Sequence, residues 1–149
     1  MAFLSSFDIS ASGLSAQRLR MDIAAENIAN IDTTRTERGG AYRRKDIVFE
    51  SYGANSFKQA LRNASKGLGF TGRNAGVRVA GVVEDDREMT QVYNPNHPDA
   101  DESGFVTMPN VDLLKETVDS MAATRSYEAN VTALNAMKLM AQKALEIGK

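Results

Sequence analysis

Residues 67–72 are the first stretch of the sequence whose residue types could do chemistry. Their sequence, Gly-Leu-Gly-Phe-Thr-Gly, matches the G-x-G-x-x-G pattern of loops that bind the phosphates of a nucleotide. A phosphate-binding loop of this kind follows a strand and opens a helix, because amides at the helix N-terminus bind the phosphate. Here residues 73–76 and then a strand-like segment follow instead. The segment therefore predicts a loop and not a nucleotide site.

Acidic residues near the one histidine form a second candidate, a calcium or zinc site. Residues 99–104, Asp-Ala-Asp-Glu-Ser-Gly, resemble the start of an EF-hand loop, but Asn110 stands where that loop needs a bidentate Glu. His97 lies beside them, yet one histidine among carboxylates rarely makes a zinc centre. Two prolines in residues 94–98 exclude an entering helix, so a rigid turn followed by an Asx-type turn is predicted.

No nucleophile motif such as G-x-S-x-G occurs in the sequence. We therefore expect no enzyme activity, no cofactor and no metal.

Composition narrows the class of protein further. The chain has 149 residues, a formal net charge of -1 and no cysteine. Near-neutrality argues against general nucleic-acid binding, and the lack of cysteine excludes disulfides and thiolate metal sites. No apolar run approaches the ~18 residues of a membrane span, and residues 1–8 do not resemble a signal peptide. We expect the chain either to stay in the cytoplasm or to leave it uncleaved.

Residues 1–31 have the periodicity of a long helix. Ser5 with Asp8 fits a capping box, which predicts that the helix begins there. Two apolar rows run along this segment, about 150° apart. The heptad seam is Phe7, Ala11, Leu14, Arg18, Met21, Ala25 and Ile28, and the second row is Ile9, Ser12, Ala16, Leu19 and Ile23. A helix with one partner needs only one stripe, so a second partner is predicted.

Residues 110–147 predict a second long helix. Asn110 is the expected N-cap and Gly148 the expected stop. The apolar residues again form more than one stripe. The first row is Val111, Leu114, Val118 and Met121. The second is Tyr127, Val131, Leu134, Lys138, Ala141 and Leu145, and the third is Asn130, Ala133, Met137, Met140, Ala144 and Ile147; Lys138 and Asn130 are the polar members.

These patterns predict a mainly α protein with a small β region, its terminal helices paired as a coiled coil. Strands are predicted at residues 42–49, 76–83, 89–93 and 105–108, and a short helix at 55–66. The two terminal helices can cover one stripe on each other, and the remaining stripes predict packing between molecules. The alternative is that the Ala- and Ser-rich second rows are tolerated at the surface.

Charge is segregated in the middle of the chain. Residues 35–66 carry 8 basic and 3 acidic side chains, whereas residues 84–102 carry 7 acidic and 1 basic. These segments are either two solvated faces of one molecule or complementary surfaces on adjacent subunits. The second reading assigns contacts between subunits to Arg43, Arg44, Lys45, Asp99, Asp101 and Glu102.

Two segments of the helices resemble a known family. Residues 12–18, Ser-Gly-Leu-Ser-Ala-Gln-Arg, leading into Glu-Asn-Ile-Ala-Asn at 26–30, are similar to the N-terminal signature of the bacterial flagellar rod and hook proteins. Residues 125–130, Arg-Ser-Tyr-Glu-Ala-Asn, are similar to their C-terminal signature. Within the family, residues 40–44 and 94–111 resemble a protein of the proximal rod.

The resemblance implies a structural subunit of the proximal rod in the periplasm. Such a subunit is exported from the cytoplasm uncleaved through the flagellar type III export apparatus. It then polymerises into a hollow shaft that transmits torque and conducts exported subunits. Residues 1–31 and 110–149 would form the inner coiled-coil layers, with residues 32–109 on the outside. Its partners would be other copies, other proximal rod proteins, the ring-to-rod adaptor and the distal rod protein, with no nucleic acid and no membrane span.

The expected assembly interface follows from the helical seams. It comprises Phe7, Leu14, Arg18, Met21, Ile28, Tyr127, Asn130, Val131, Leu134, Met137, Lys138, Met140 and Leu145. Arg18 and Lys138 interrupt the seams and are expected to fix register. A soluble helical chaperone or adaptor would share the two-faced helices, but it would not need the turn-rich middle of the family.

Overall fold

The described part of the chain contains two long helices, one near each end, and two antiparallel strand pairs between them in sequence. The computed structural model describes residues 2–51, 61 and 76–147. Its elements are α1 (Ala2–Ala29), β1 (Lys45–Ser51), β2 (Val77–Glu84), β3 (Thr90–Tyr93), β4 (Phe105–Met108) and α2 (Leu113–Ile147). These elements confirm two long helices with a small β region, and roughly half of the chain is helical. Neither α1 nor α2 contains an apolar stretch that could span a lipid bilayer.

The start of α1 differs from the prediction. The helix begins at Ala2, so Ser5 and Asp8 lie inside it and the predicted capping box is wrong. Residues 2–4 contain neither proline nor glycine, so nothing in them stops the helix from extending upstream of Ser5. At the other end, the Asn30 side chain donates a 2.9 Å hydrogen bond to the Glu26 carbonyl and satisfies an acceptor of the last turn.

The cap of α2 is Asp112 and not the predicted Asn110. Asp112 Oδ1 accepts hydrogen bonds from the backbone N–H groups of Leu114 (2.9 Å) and Lys115 (3.4 Å). Asn110 is engaged elsewhere: its Oδ1 accepts the Arg44 backbone N–H at 2.8 Å. Both residue types cap helices well, and a tertiary contact decides between them. The predicted stop at Gly148 lies outside the described residues.

The two helices pack against each other in antiparallel directions. Contacts pair Gly13 with Asn130 and Arg20 with Asp119, so residue numbers rise in one helix as they fall in the other. The buried apolar side chains between the helices are small, namely Ala16, Ala24 and Ala123. Small side chains let the helix axes approach closely, but they bury little apolar area per residue.

The strands form two separate ribbons. β1 pairs with β2 from Lys45 opposite Glu84 to Ser51 opposite Val77, with an irregularity between Val48 and Phe49. β3 pairs with β4, with Tyr93 opposite Phe105. All four predicted strands are confirmed to within three residues at either end. The predicted helix at 55–66 lies outside the described residues except for Leu61, which is helical, and so does the glycine-rich segment 67–72.

Candidate assembly interface

A buried polar cluster fixes how the helices meet the rest of the chain. We call Asn27, Tyr42, Arg44 and Glu116 the Asn27 cluster; all four residues are at most 7% exposed. Asn27 Nδ2 donates to Glu116 Oε2 (3.0 Å) and to the Lys45 carbonyl (2.9 Å). Its Oδ1 accepts from the Tyr42 hydroxyl and the Lys45 N–H, both at 2.9 Å. Every hydrogen-bonding position of this amide is therefore occupied.

Arg44 and Glu116 form the ionic part of the cluster. Arg44 Nε donates to Glu116 Oε1 at 2.6 Å, and its side chain is 6% exposed against 2% for the glutamate side chain. Arg44 Nη1 donates to Asp46 Oδ2 at 3.0 Å and lies 3.8 Å from Asp85 Oδ2, and Arg44 Nη2 lies 3.6 Å from Asp119 Oδ2. A buried charge requires such partners, because desolvation without them is costly.

These contacts shift the pKa values of Arg44, Tyr42 and the neighbouring Asp46. Burial would lower the pKa of Arg44, but hydrogen bonds to Glu116 and Asp46 outweigh it and the pKa is raised. Burial alone would raise the pKa of Asp46, but the hydrogen bond with Arg44 outweighs burial and the pKa is lowered. For Tyr42, burial and then nearby glutamates raise the pKa to about 12. The guanidinium stays charged and the phenol stays neutral around neutral pH.

The segregated charges of the middle segments meet within one chain. The pairs are Arg38 with Glu84 (3.4 Å), Arg43 with Asp86 (4.0 Å) and Arg44 with Asp85 (3.8 Å). Lys45 pairs with Glu26 of α1. Within the chain, Arg44 is buried and the Lys45 ammonium is paired with Glu26, so both charges have internal partners. Arg43 remains 41% exposed on its side chain.

The acidic loop between β3 and β4 is held by hydrogen bonds within the loop and by one from Thr34. Asp101 Oδ1 accepts the N–H groups of Ser103 (2.9 Å) and Phe105 (2.8 Å), which confirms the predicted Asx-type turn. Asp99 accepts a 2.7 Å hydrogen bond from Thr34, and Glu102 is exposed. Gly104 has φ +80°, and a Cβ there would lie 2.9 Å from the Tyr93 ring, so only glycine fits.

His97 belongs to the same turn. Its Nδ1 accepts the backbone N–H of Asp99 at 3.1 Å. Within residues 2–51, 61 and 76–147, no group of three or more histidine, cysteine or acidic side chains is placed to hold a metal ion.

The two terminal signatures meet each other and β2. Ser12 Oγ accepts the Val77 N–H at 3.0 Å, and a Cβ on Gly76 would lie only 2.2 Å from that oxygen. Gly13, the next residue, leaves room for the Asn130 side chain of α2. Small residues at 13 and 76 therefore allow α1 to approach both α2 and the β1–β2 ribbon closely.

One side of α2 exposes a row of large apolar side chains. Leu114, Val118 and Met121 are 75%, 52% and 55% exposed, and we call these three residues the α2 stripe. At 100° per residue, the stripe lies on the side of the helix opposite the buried Glu116 and Ala123. A contiguous apolar row open to solvent is typical of an interaction surface.

The other predicted interface residues divide into two groups. Half-buried are Phe7, Leu14, Met21, Ile28, Tyr127, Asn130, Val131, Leu134 and Met137; exposed are Arg18, Lys138, Met140 and Leu145. Met21 and Asn130 contact the partner helix of the same chain, through Thr124 and Gly13. The exposed group is thus the part open to a second molecule.

Sequence reasoning missed the Asn27 cluster as a site. In the sequence, Asn27 is only part of a segment that resembles the family, and Glu116 is only a carboxylate in the first turn of the second helix, where the helix dipole favours negative charge. The available signal was that the helical pattern places polar residues on a packed face, because a polar side chain buried there requires hydrogen-bond partners.

Comparisons with known proteins place the chain in a family. Residues 7–35 match the family model "Flagella basal body rod protein", and residues 102–147 match "Flagellar basal body rod FlgEFG protein C-terminal". The chain is 49% identical over 153 residues to the flagellar basal-body rod protein FlgC of Bacillus subtilis, with 100% of both chains covered. It is 43% identical to FlgC of Escherichia coli O157:H7, again covering 100% of both. Identity to FlgC of Borreliella burgdorferi is 40%, covering 99% of this chain and 98% of the other. With full-length matches at this level, the chain belongs to the FlgC family of flagellar basal-body rod proteins, structural subunits of the rod and not enzymes.

Proposed function

We propose that the chain polymerises in the proximal rod by burying the α2 stripe against neighbouring subunits. The observation that carries this proposal is the exposure of Leu114, Val118 and Met121 on the side of α2 that α1 does not cover. Burying such side chains stabilises an interface by roughly 25 cal/mol per Å² of apolar surface removed from water. The fully buried apolar side chains between α1 and α2 are alanines, which bury little apolar area per residue within one chain.

The proposed arrangement puts the paired terminal helices in the inner, coiled-coil layers of the rod. The strands and turns of residues 32–109 face outward, and Arg43, Asp99, Asp101 and Glu102 contact adjacent subunits. Heterologous contacts that do not close generate a helical assembly, which suits a hollow shaft that transmits torque and conducts exported subunits. The partners are other copies, other proximal rod proteins, the ring-to-rod adaptor, the distal rod protein and, before assembly, the type III export apparatus.

The test replaces Val118 in cells that lack the native gene. Val118→Glu is expected to abolish swimming and to remove the chain from purified basal bodies, because it places an unpaired charge in an apolar interface. The chain should still be exported and recovered outside the cytoplasm. Val118→Ile, which keeps the side chain apolar, and Ala80→Glu, which adds the same charge to an exposed position on β2, are the matched controls. Normal basal bodies with Val118→Glu would contradict the proposal.

A further inference from the structure

The side of α1 that faces away from α2 carries exposed residues at heptad spacing. At 100° per residue, this side lies opposite Gly13 and Arg20, which contact α2. Its members are spaced alternately by four and three residues, which is the spacing of a row that pairs with another helix. Four of the six are small, and two are charged. We call this set the α1 back row: Ala11, Ser15, Arg18, Asp22, Ala25 and Ala29, all exposed.

The α2 stripe continues into a similar row along α2. This row lies on the side of α2 that faces away from α1, and its members are spaced alternately by three and four residues. It begins with two large apolar side chains, which are followed by a cation, an anion and two uncharged polar residues. We call it the α2 back row: Val118, Met121, Arg125, Glu128, Thr132 and Asn135, all exposed.

The two rows are complementary in size in one antiparallel register. In this register, Val118 lies opposite Ala29 and Met121 lies opposite Ala25. Val118 and Met121 are 52% and 55% exposed in the single chain, so the contact would remove large apolar side chains from water. Alanines on the facing helix leave the space that these larger side chains need in order to pack between them.

The same register is also complementary in charge. Arg125 lies opposite Asp22, and Glu128 lies opposite Arg18. Within residues 2–51, 61 and 76–147, none of these four side chains has an ion-pair partner. Opposite charges at two successive positions of each row therefore specify which residues face each other.

Other registers of the two rows lose this match. A shift by one heptad puts Asp22 opposite Val118 and Arg18 opposite Met121, so each charge meets an apolar side chain. A parallel arrangement that opposes Arg125 to Asp22 again puts Arg18 against Met121. The antiparallel register is thus favoured by size and by charge together.

We infer that the α2 back row of one copy binds the α1 back row of a second copy in this antiparallel register. The inference rests on the proposed polymerisation and names the surface that covers Val118 and Met121 of the α2 stripe. Arg18, which the sequence predicts to fix register, does so here through Glu128 of the neighbouring copy.

The contact also sets how neighbouring copies are displaced. Residue numbers across it add to about 147. Within one chain they add to about 143, since Gly13 lies at the level of Asn130 and Asn27 at the level of Glu116. The difference of about four residues displaces each copy by about 6 Å along the helix axis. Because the contact joins two different surfaces and displaces every copy, it extends a helical assembly instead of closing a ring.

Site-specific crosslinking tests the contact, because the natural chain has no cysteine. Cells without the native gene produce two versions together, one with Ala25→Cys and one with Met121→Cys, and only the second carries an epitope tag. Purified basal bodies are treated with a short bifunctional thiol reagent. A tagged covalent dimer is expected, and it should be lost when either version is present alone. Ala11→Cys with Asn135→Cys, at the other end of the rows, should give the same product.

The matched controls exchange the partners of these two pairs. Ala25→Cys with Asn135→Cys, and Ala11→Cys with Met121→Cys, use the same four exposed positions but place the thiols about 20 Å apart along the axis. No dimer is expected from them. A dimer from the exchanged pairs alone, no dimer from any pair, or a product with a different rod protein in its place would overturn the inference.

Reaction of the Met121→Cys thiol with a maleimide separates this inference from the proposed function. A thiol that reacts more slowly in basal bodies than in the isolated chain, without forming the dimer, would overturn the inference and leave the proposed function intact. A thiol that reacts equally fast in both would contradict the proposed function, because the α2 stripe would then be open to solvent in the rod.

Charge reversal gives a second measurement that needs no cysteine. Arg125→Glu should reduce swimming and the amount of the chain in basal bodies, and adding Asp22→Arg to the same chain should restore both. The two positions face away from each other within one chain, so restoration requires a contact between copies. Asp8→Arg, at an exposed acidic position of α1 beyond the row, is the matched control and should restore neither. Normal swimming with Arg125→Glu alone, or no better restoration by Asp22→Arg than by Asp8→Arg, would overturn the inference.

Discussion

Gly13 of α1 lies directly against Asn130 of α2. A Cβ on Gly13 would lie 3.1 Å from Asn130 Nδ2 and 3.4 Å from its Cγ, closer than most packed side chains. Each residue belongs to one of the two terminal segments that resemble the axial proteins, at 12–18 and 125–130. The contact gives a physical reason for the pairing of these segments: a glycine on one helix makes room for an amide on the other.

Replacing Gly13 by a branched residue should force the helices apart. We expect Gly13→Val to lower the free energy of unfolding by about 1–3 kcal/mol, the usual cost of overpacking. Urea titration followed by circular dichroism measures this. Ala11→Val, at an exposed position of the same helix, is the control and should cost well under 1 kcal/mol. Adding Asn130→Ala should recover part of the loss, and simple additivity of the two changes would contradict the assigned contact.

The helices and strands were accessible to sequence reasoning because their residues have clear periodicity and clear boundaries. Phe105–Met108 lies between a glycine and a proline, and it was predicted to the residue. It was also predictable that α2 carries apolar residues on more than one side. Leu114, Val118 and Met121 recur at helical spacing on a different side from the row that begins at Tyr127.

The internal contacts of the charged residues were not accessible. Arg43, Arg44 and Lys45 are three consecutive basic residues, and sequence alone does not say that only Arg44 is buried. Its environment depends on Glu116, 72 residues away, and on a connection after α1 that has no periodic pattern. The same contact explains the misplaced cap, since Asn110 is engaged by the Arg44 backbone and leaves the cap to Asp112.

Removing the Asn27 amide should destabilise the chain strongly. Asn27→Leu is similar in size but leaves the Tyr42 hydroxyl, both Lys45 backbone groups and Glu116 without this partner. Each orphaned buried group costs about 1–3 kcal/mol, so we expect a loss of at least about 2 kcal/mol in the free energy of unfolding. Asn135→Leu, an exposed position on α2, is the matched control and should change stability by no more than about 0.5 kcal/mol. Equal effects of the two changes in urea unfolding would contradict the role of Asn27.

The Arg44–Glu116 pair should show strong coupling. Arg44→Met leaves the Glu116 carboxylate buried without its cation, and breaking a buried pair in this way costs about 3–5 kcal/mol. The double change Arg44→Met with Glu116→Leu removes both charges and should cost less than the sum of the single changes. For the exposed Arg78–Glu50 pair, Arg78→Met should cost at most about 1 kcal/mol. A double-mutant cycle measured by urea unfolding checks this, and additive single changes would argue against the pair.

Tyr42 should make stability depend on alkaline pH. Burial and the charges of Glu26, Glu116 and Glu84 raise its pKa from 10.0 to about 12, and its neutral hydroxyl donates to Asn27. Because the pKa is higher in the folded chain than in the unfolded chain, this contribution is complete below pH 10 and is lost as the pH rises from 10 to 12. Tyr42→Phe cannot ionise, so it should lose the hydrogen bond at neutral pH but show a shallower fall in stability across that window. Tyr93→Phe, at an exposed ring, should leave the fall unchanged, and identical pH profiles for Tyr42→Phe and the natural chain would show that the buried phenol is not its source.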